Sequence, residues 1–232
     1  MLDTAASTRT GLDSAVATHG SGTSFSHDDD VNAPGTLGTA GTPRRALLIV
    51  DVQPTFCEGG ELPVVGGNAT AAAIADYVAA NRGKYALVAT TQDFHIAPGH
   101  HFSANPDFVD TWPPHGLAGS ANAELHPLIE PLPIDIRVRK GQRQPAYSGF
   151  EGTDAWGLPL VDLLRERGIT ELDVVGIAES HCVKATALDG ASLGYPVTVF
   201  TDLTVPVTPE LGDSARAEMA NAGITLTQSV SS

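Results

Sequence analysis

The stretch Leu172–Val183, LDVVGIAESHCV, decides the fold. Leu172–Ile177 is a short apolar run, the pattern of a strand buried on both faces. A brief link follows, and His181–Leu193 reads as a helix stopped by Gly194. Strand, short link and helix repeat on both sides of this stretch. Upstream, Ala46–Val50 is a continuous apolar strand and Asn68–Asn81 an Ala-rich helix closed by Gly83. Tyr85–Thr90 and Ile134–Arg139 read as further strands, the second with Ile134, Ile136 and Val138 in period-two alternation. Asp154–Arg167 reads as a helix ended by Gly168. Downstream come a strand at Pro196–Phe200, a helix at Pro209–Asn221 and a strand at Ile224–Thr227. Strands alternating with helices predict an α/β fold: an open, mostly parallel six-stranded sheet with helices on both faces.

The first 43 residues break this pattern. They are rich in Ser, Thr, Gly and Ala, with an acidic run at Asp28, Asp29 and Asp30. Such a stretch cannot bury enough apolar surface to offset its chain entropy. Residues 1–43 are expected to be a disordered low-complexity tail, with His27 simply solvated, and residues 44–232 one folded domain. The interval Phe94–Pro133 carries many of the histidines and prolines. A long, weakly patterned insertion in a compact domain is usually functional.

Bulk properties exclude several classes. A formal charge of −14 disfavours nucleic acid, which needs clustered Lys and Arg. Two cysteines, Cys57 and Cys182, make no disulfide framework. Neither a secretory signal nor a long apolar span is evident, so no membrane association is expected and a reducing cytoplasm is the simplest compartment. Monomer and homo-oligomer both remain open.

Four chemistry-bearing residue sets follow apolar runs. In an open α/β sheet, ligands bind beyond the carboxyl ends of the strands. Asp51 directly follows Leu47–Val50; it is either an N-cap or turn residue, or a carboxylate whose burial tunes it. Lys140 continues the alternation of Ile136 and Val138, so it faces inward, where Asp51 is a candidate partner, or snorkels past the sheet end. Cys182 opens a helix, with Ser180 as candidate N-cap. The helix dipole and free N–H groups there are expected to lower the thiol pKa and to offer an oxyanion hole. Asp93 and His95 share a face in extended backbone. With His100, His101 and His115 nearby they suit zinc, iron or manganese, or else form a solvated histidine-rich loop. Cys57 reads as loop packing.

The segments IVDVQPTFCEGGELPV, DFHIAPGHHF, WPPH, RKGQRQPAYSGFEG, DVVGIAESHCV and TDLT occur in order from Arg44 onward. On these motifs the chain resembles the nicotinamidases (pyrazinamidases) of the isochorismatase-like cysteine hydrolase superfamily. The resemblance implies an isochorismatase-like hydrolase fold and a triad of Asp51, Lys140 and Cys182. It implies one divalent metal ion held by Asp93, His95, His101 (rather than His100) and His115. It also implies a cis peptide at Ile177–Ala178, oxyanion donors at the backbone of Ala178 and Cys182, and a substrate pocket at Phe56, Trp112, Tyr147 and Ile177. The implied reaction is hydrolysis of nicotinamide, a small-molecule amide, through a Cys thioester. The sequence departs from the family pattern at Pro54–Thr55, where many relatives carry Asn-Asp. It also carries Glu179–Ser180 before His181–Cys182, where relatives vary. The rivals are another amidase of the superfamily and a non-catalytic binding module on the same fold.

Overall fold

The computed structural model describes residues 43–230. Residues 1–42 of the expected tail, including His27 and Asp28–Asp30, lie outside the described residues. Six strands build the sheet: β1 (Arg45–Val50), β2 (Leu87–Asp93), β3 (Ile136–Lys140), β4 (Glu171–Ile177), β5 (Val197–Val205) and β6 (Thr225–Thr227). All neighbouring pairs are parallel, in the order β3-β2-β1-β4-β5-β6. The chain walks outward from β1 to β3, then returns to lay β4 on the other side of β1. The crevice beyond β1 and β4 is therefore the topological switch point, where such sheets bind ligands.

The central strands are apolar on both faces because helices cover both. Ala46, Leu48 and Val50 pack with α2 (Leu160–Glu166), α3 (Lys184–Ser192) and α4 (Pro209–Asn221) through Leu164, Ala187 and Met219. Leu47 and Ile49 face the other way, onto Ile74 and Val78 of α1 (Gly67–Asn81) and onto Leu125 and Ile129. Each fully buried Leu, Ile, Val or Met among these contributes about 1.5–3 kcal/mol through removal from water.

Several boundaries differ from the sequence expectation. β2 begins two residues later than expected and runs on to Asp93, because Thr90–Asp93 keep ladder partners in β1 and β3. The helix expected at Asp154–Arg167 is only Leu160–Glu166; Pro159 precedes it, and Asp154 instead closes a turn by accepting from Trp156 N and Leu158 N, both at 2.9 Å. β5 extends past Phe200 to Val205, through a register shift against β4 between Val174 and Gly176. Before α3 stands a π-helical turn, Glu179–Val183. Ser180 does not cap it: its hydroxyl is bonded to His181 Nδ1 at 2.9 Å and accepts from Val207 N at 3.2 Å.

Candidate active site

Asp51, Asp93 and Lys140 end three adjacent strands, and parallel register places them side by side. Asp93 is paired with Lys140 directly across β2 and β3. Lys140 is fully buried, as the Ile136–Val138–Lys140 alternation requires. Its ammonium meets two carboxylates, not one: Asp51 Oδ2 at 2.9 Å and Asp93 Oδ1 at 2.5 Å. It also donates to Ala146 O at 3.2 Å and lies 3.7 Å from Cys182 Sγ. Asp51 sits in the left-handed region at φ 47°, a conformation Asp tolerates better than most residues. The Thr91 hydroxyl donates to its Oδ1 at 2.6 Å.

The charges split in direction. Burial opposes charging of Lys140, but Asp51 and Asp93 outweigh it and hold the ammonium well above the usual lysine range. Burial also opposes the Asp93 carboxylate, yet the Lys140 ammonium holds it well below the usual range. For Asp51 burial prevails: its pKa is raised, with Lys140 offsetting only in part. The Cys182 thiol is pushed well above its ordinary value by burial, against the pull of Lys140 and with Asp51 and Asp93 adding. This corrects the expectation of a thiol lowered by the helix start. At 7% exposure, desolvation outweighs whatever the helix terminus supplies.

Three imidazoles gather beside Asp93. One nitrogen from each of His95, His101 and His115 lies within 4.8 Å of the others. His95 Nδ1 bonds Gly141 O at 2.7 Å, and His115 Nδ1 bonds Pro113 O at 2.8 Å. A carbonyl only accepts, so both Nδ1 atoms carry a proton, the tautomer that leaves Nε2 as the atom able to ligate. His95 Nε2 and His101 Nδ1 are buried without a hydrogen-bond partner. Burial, then His115 and His95, lower the His101 pKa to about 4, which keeps that ring neutral. Asp93 Oδ2 faces His95 Nε2 at 3.4 Å and His115 Nε2 at 3.6 Å. Converging lone pairs with one carboxylate fit a divalent transition metal. His100 is exposed and outside the group.

A cavity of about 600 Å³ opens over these groups, within the range of small-molecule sites. Phe56, Trp112 and Tyr147 line it, as do Ala178, His181 and Cys182. Trp112 Nε1 donates to Tyr147 Oη at 2.9 Å. Ile177 does not line it. Strand alternation turns that side chain into the core on the α1 face, while Cys182 packs on the other. The Ile177–Ala178 peptide is cis. Cys57 is buried against α1, and its pKa is pushed up to about 11 by burial and then by Glu58, consistent with packing.

Some supports were not read from the sequence. Gln53 donates to Asp93 O at 2.9 Å and Ala123 O at 2.7 Å and accepts from Asp93 N at 2.8 Å, so it fixes the metal-side carboxylate. Thr91 steadies Asp51. Gly141, at φ 74°, lies so close to His95 that a Cβ would stand 2.5 Å from the ring. The polar run Thr90–Asp93 that follows the apolar start of β2, and Gln53 just past β1, were the available signals.

The sequence profile of the isochorismatase domain matches residues 45–230. The chain is 48% identical over 182 residues to the nicotinamidase/pyrazinamidase of Mycobacterium tuberculosis, covering 78% of this chain and 97% of that protein. It is 36% identical over 201 residues to the nicotinamidase of Escherichia coli, covering 79% and 94%. Among solved structures, the pyrazinamidase of Pyrococcus horikoshii in complex with zinc superposes with a TM-score of 0.68 at 32% identity, covering 81% and 100%. PnC1 from L. infantum in complex with nicotinate gives 0.69 at 32% identity, covering 80% and 92%. A profile that spans nearly the whole described fold, and relatives matched over almost their full length, lead to one conclusion: this chain belongs to the isochorismatase family.

Proposed function

We propose that the protein is a nicotinamidase, hydrolysing nicotinamide to nicotinate and ammonia and acting likewise on pyrazinamide, in the salvage of NAD. The observation that carries this is the meeting, at one cavity, of a buried Asp51–Lys140–Cys182 group with three inward-facing imidazoles. The relatives named above support the substrate class.

Cys182 is the nucleophile. Asp51, with its raised pKa, takes the thiol proton as sulfur approaches the carboxamide carbon. The new C–S bond pushes the carbonyl pair onto oxygen, held by the backbone N–H groups of Ala178 and Cys182. The proton passes from Asp51 to the departing nitrogen, which leaves as ammonia. Water, deprotonated by the freed Asp51, then opens the thioester and restores the thiol. Lys140 stays charged throughout and compensates the negative charge around it. Phe56, Trp112 and Tyr147 sandwich and orient the ring. Asp93, His95, His101 and His115 would hold a divalent ion, zinc, iron or manganese, which would supply Lewis acidity to bind and orient the pyridine ring.

The test is ammonia release from nicotinamide, with nicotinate identified as the second product. Full activity in demonstrably metal-free enzyme would favour a different amidase of the superfamily. No helix among the described residues is long and apolar enough to cross a membrane. We propose a cytoplasmic enzyme with a small-molecule substrate.

A further inference from the structure

Glu179 lies between Ala178 and Cys182 in sequence, yet the chemistry above does not use it. Its side chain is completely buried. A buried carboxylate is costly unless its oxygens are compensated. Both are. The Thr204 hydroxyl donates to Oε2, and Arg216 Nε lies 2.8 Å from Oε1 as an ion-pair contact. Thr204 comes from the extended end of β5, where the register shift sets it opposite Gly176. Arg216 comes from α4 and is braced by Asp213 at 2.9 Å. Gly212 leaves the room for this: a Cβ there would stand 2.8 Å from Pro206 Cγ and 3.1 Å from Arg216 Nη2. At the other end of the π turn, Thr186 donates to Cys182 O at 2.7 Å and accepts from Gly149 N at 2.9 Å.

Two elements outside the turn therefore converge on the one charged side chain at its start. The TDLT motif, singled out in the sequence but given no role, ends in the Thr204 that does this.

We infer that Glu179, pinned by Thr204 and Arg216, is a positioning residue that sets the Ala178 and Cys182 amides where the reacting oxygen develops charge. This deepens the nicotinamidase reading and rests on it. Removing an oxyanion donor costs about 10²–10³ in kcat, and a 1 Å misplacement about 10². A clamp that only biases those amides is expected to act at the lower end.

The decisive variants are Thr204→Val, which keeps the shape and removes the hydroxyl, Glu179→Gln, and Thr204→Ser as the conservative rescue. Nicotinamide turnover is measured together with the affinities of nicotinate and of pyridine-3-carbaldehyde. The Cys182 thiol adds across the aldehyde C=O, sulfur to carbon and proton to oxygen, placing an oxygen at the two amides. Thr204→Val and Glu179→Gln are expected to lower kcat about 10- to 100-fold with KM nearly unchanged. Aldehyde affinity falls in parallel, nicotinate affinity holds, and Thr204→Ser recovers most of the rate. Wild-type kcat in Thr204→Val, or equal loss of aldehyde and nicotinate binding, would overturn the inference and leave the nicotinamidase reading standing. Wild-type protein that releases no ammonia would overturn both.

Discussion

At the amino end of the sheet Asp173 is 1% exposed; at the carboxyl end Asp51 and Asp93 are 0% and 3% exposed. Both ends bury carboxylate, but they satisfy it differently. Asp173 accepts from Tyr85 Oη at 2.8 Å and meets Arg45 at 3.5 Å, and Tyr85 Oη is bonded to Tyr77 Oη at 2.6 Å. Burial raises the Asp173 pKa, and Tyr85 and Arg45 pull it back. Hydroxyls and a half-exposed guanidinium close that end as a finished network. The carboxyl end instead concentrates a fully buried ammonium, two carboxylates pushed in opposite directions, a thiol, and two imidazole nitrogens with no hydrogen-bond partner. Burial alone does not mark a site. Donor and acceptor capacity left over after internal pairing does.

If that contrast is right, substitutions at the two ends divide cleanly between activity and stability. Cys182→Ala is expected to have the largest effect, a loss of about 10⁴-fold or more in turnover with the fold and metal content retained. Ammonia release and metal analysis of the same sample check it, and Cys57→Ala should keep most of the activity. His95→Ala comes next: bound metal falls, and the KM for nicotinamide rises far more than kcat changes. Chelation of the wild type should reproduce this and added metal reverse it.

The raised Cys182 pKa gives a pH test. Substrate-free protein holds the thiol protonated at neutral pH. Alkylation of Cys182 by iodoacetamide should therefore climb about tenfold per pH unit through pH 9 without levelling. A plateau near neutrality would mean a preformed thiolate. Tyr85→Phe probes the opposite end. It strips a donor from buried Asp173, so stability should fall by about 1–3 kcal/mol while kcat/KM stays at the wild-type value. A drop in activity there would erase the distinction between the ends. The smallest effects are expected from His100→Ala and from removal of residues 1–40, both near silent in activity and melting temperature.

Much of this was legible because buried parallel strands carry their own punctuation. The apolar run ending at Val50 made Asp51 conspicuous, and alternation through Ile136 and Val138 aimed Lys140 inward. The motif resemblance placed the imidazoles. What escaped depends on relations between strands. That Asp93 serves Lys140 with one oxygen and faces the histidines with the other follows from the β2–β3 register, which no single strand encodes. The extension of β5 was hidden because Thr201–Val205 mixes polar and apolar residues, and its pairing arises only after a register shift set at Gly176. There φ is 128°, and a Cβ would meet Val50 O at 2.1 Å. The π turn displaced the helix start by a few residues, which removed Ser180 from the capping position. The resemblance implied Ile177 in the pocket, but its side chain obeys the strand and points to the other face.

The chain holds two tryptophans in opposite settings: Trp112 is 9% exposed, and Trp156, in the turn closed by Asp154, is 87% exposed. An aqueous quencher such as iodide should silence the second and spare the first. The remaining emission comes from an indole in the cavity wall, bonded to Tyr147 and edge-on to the His181 ring at 5.6 Å. Occupancy of the cavity is thereby written into the protein's own light, and ligand titrations can be followed optically without a label.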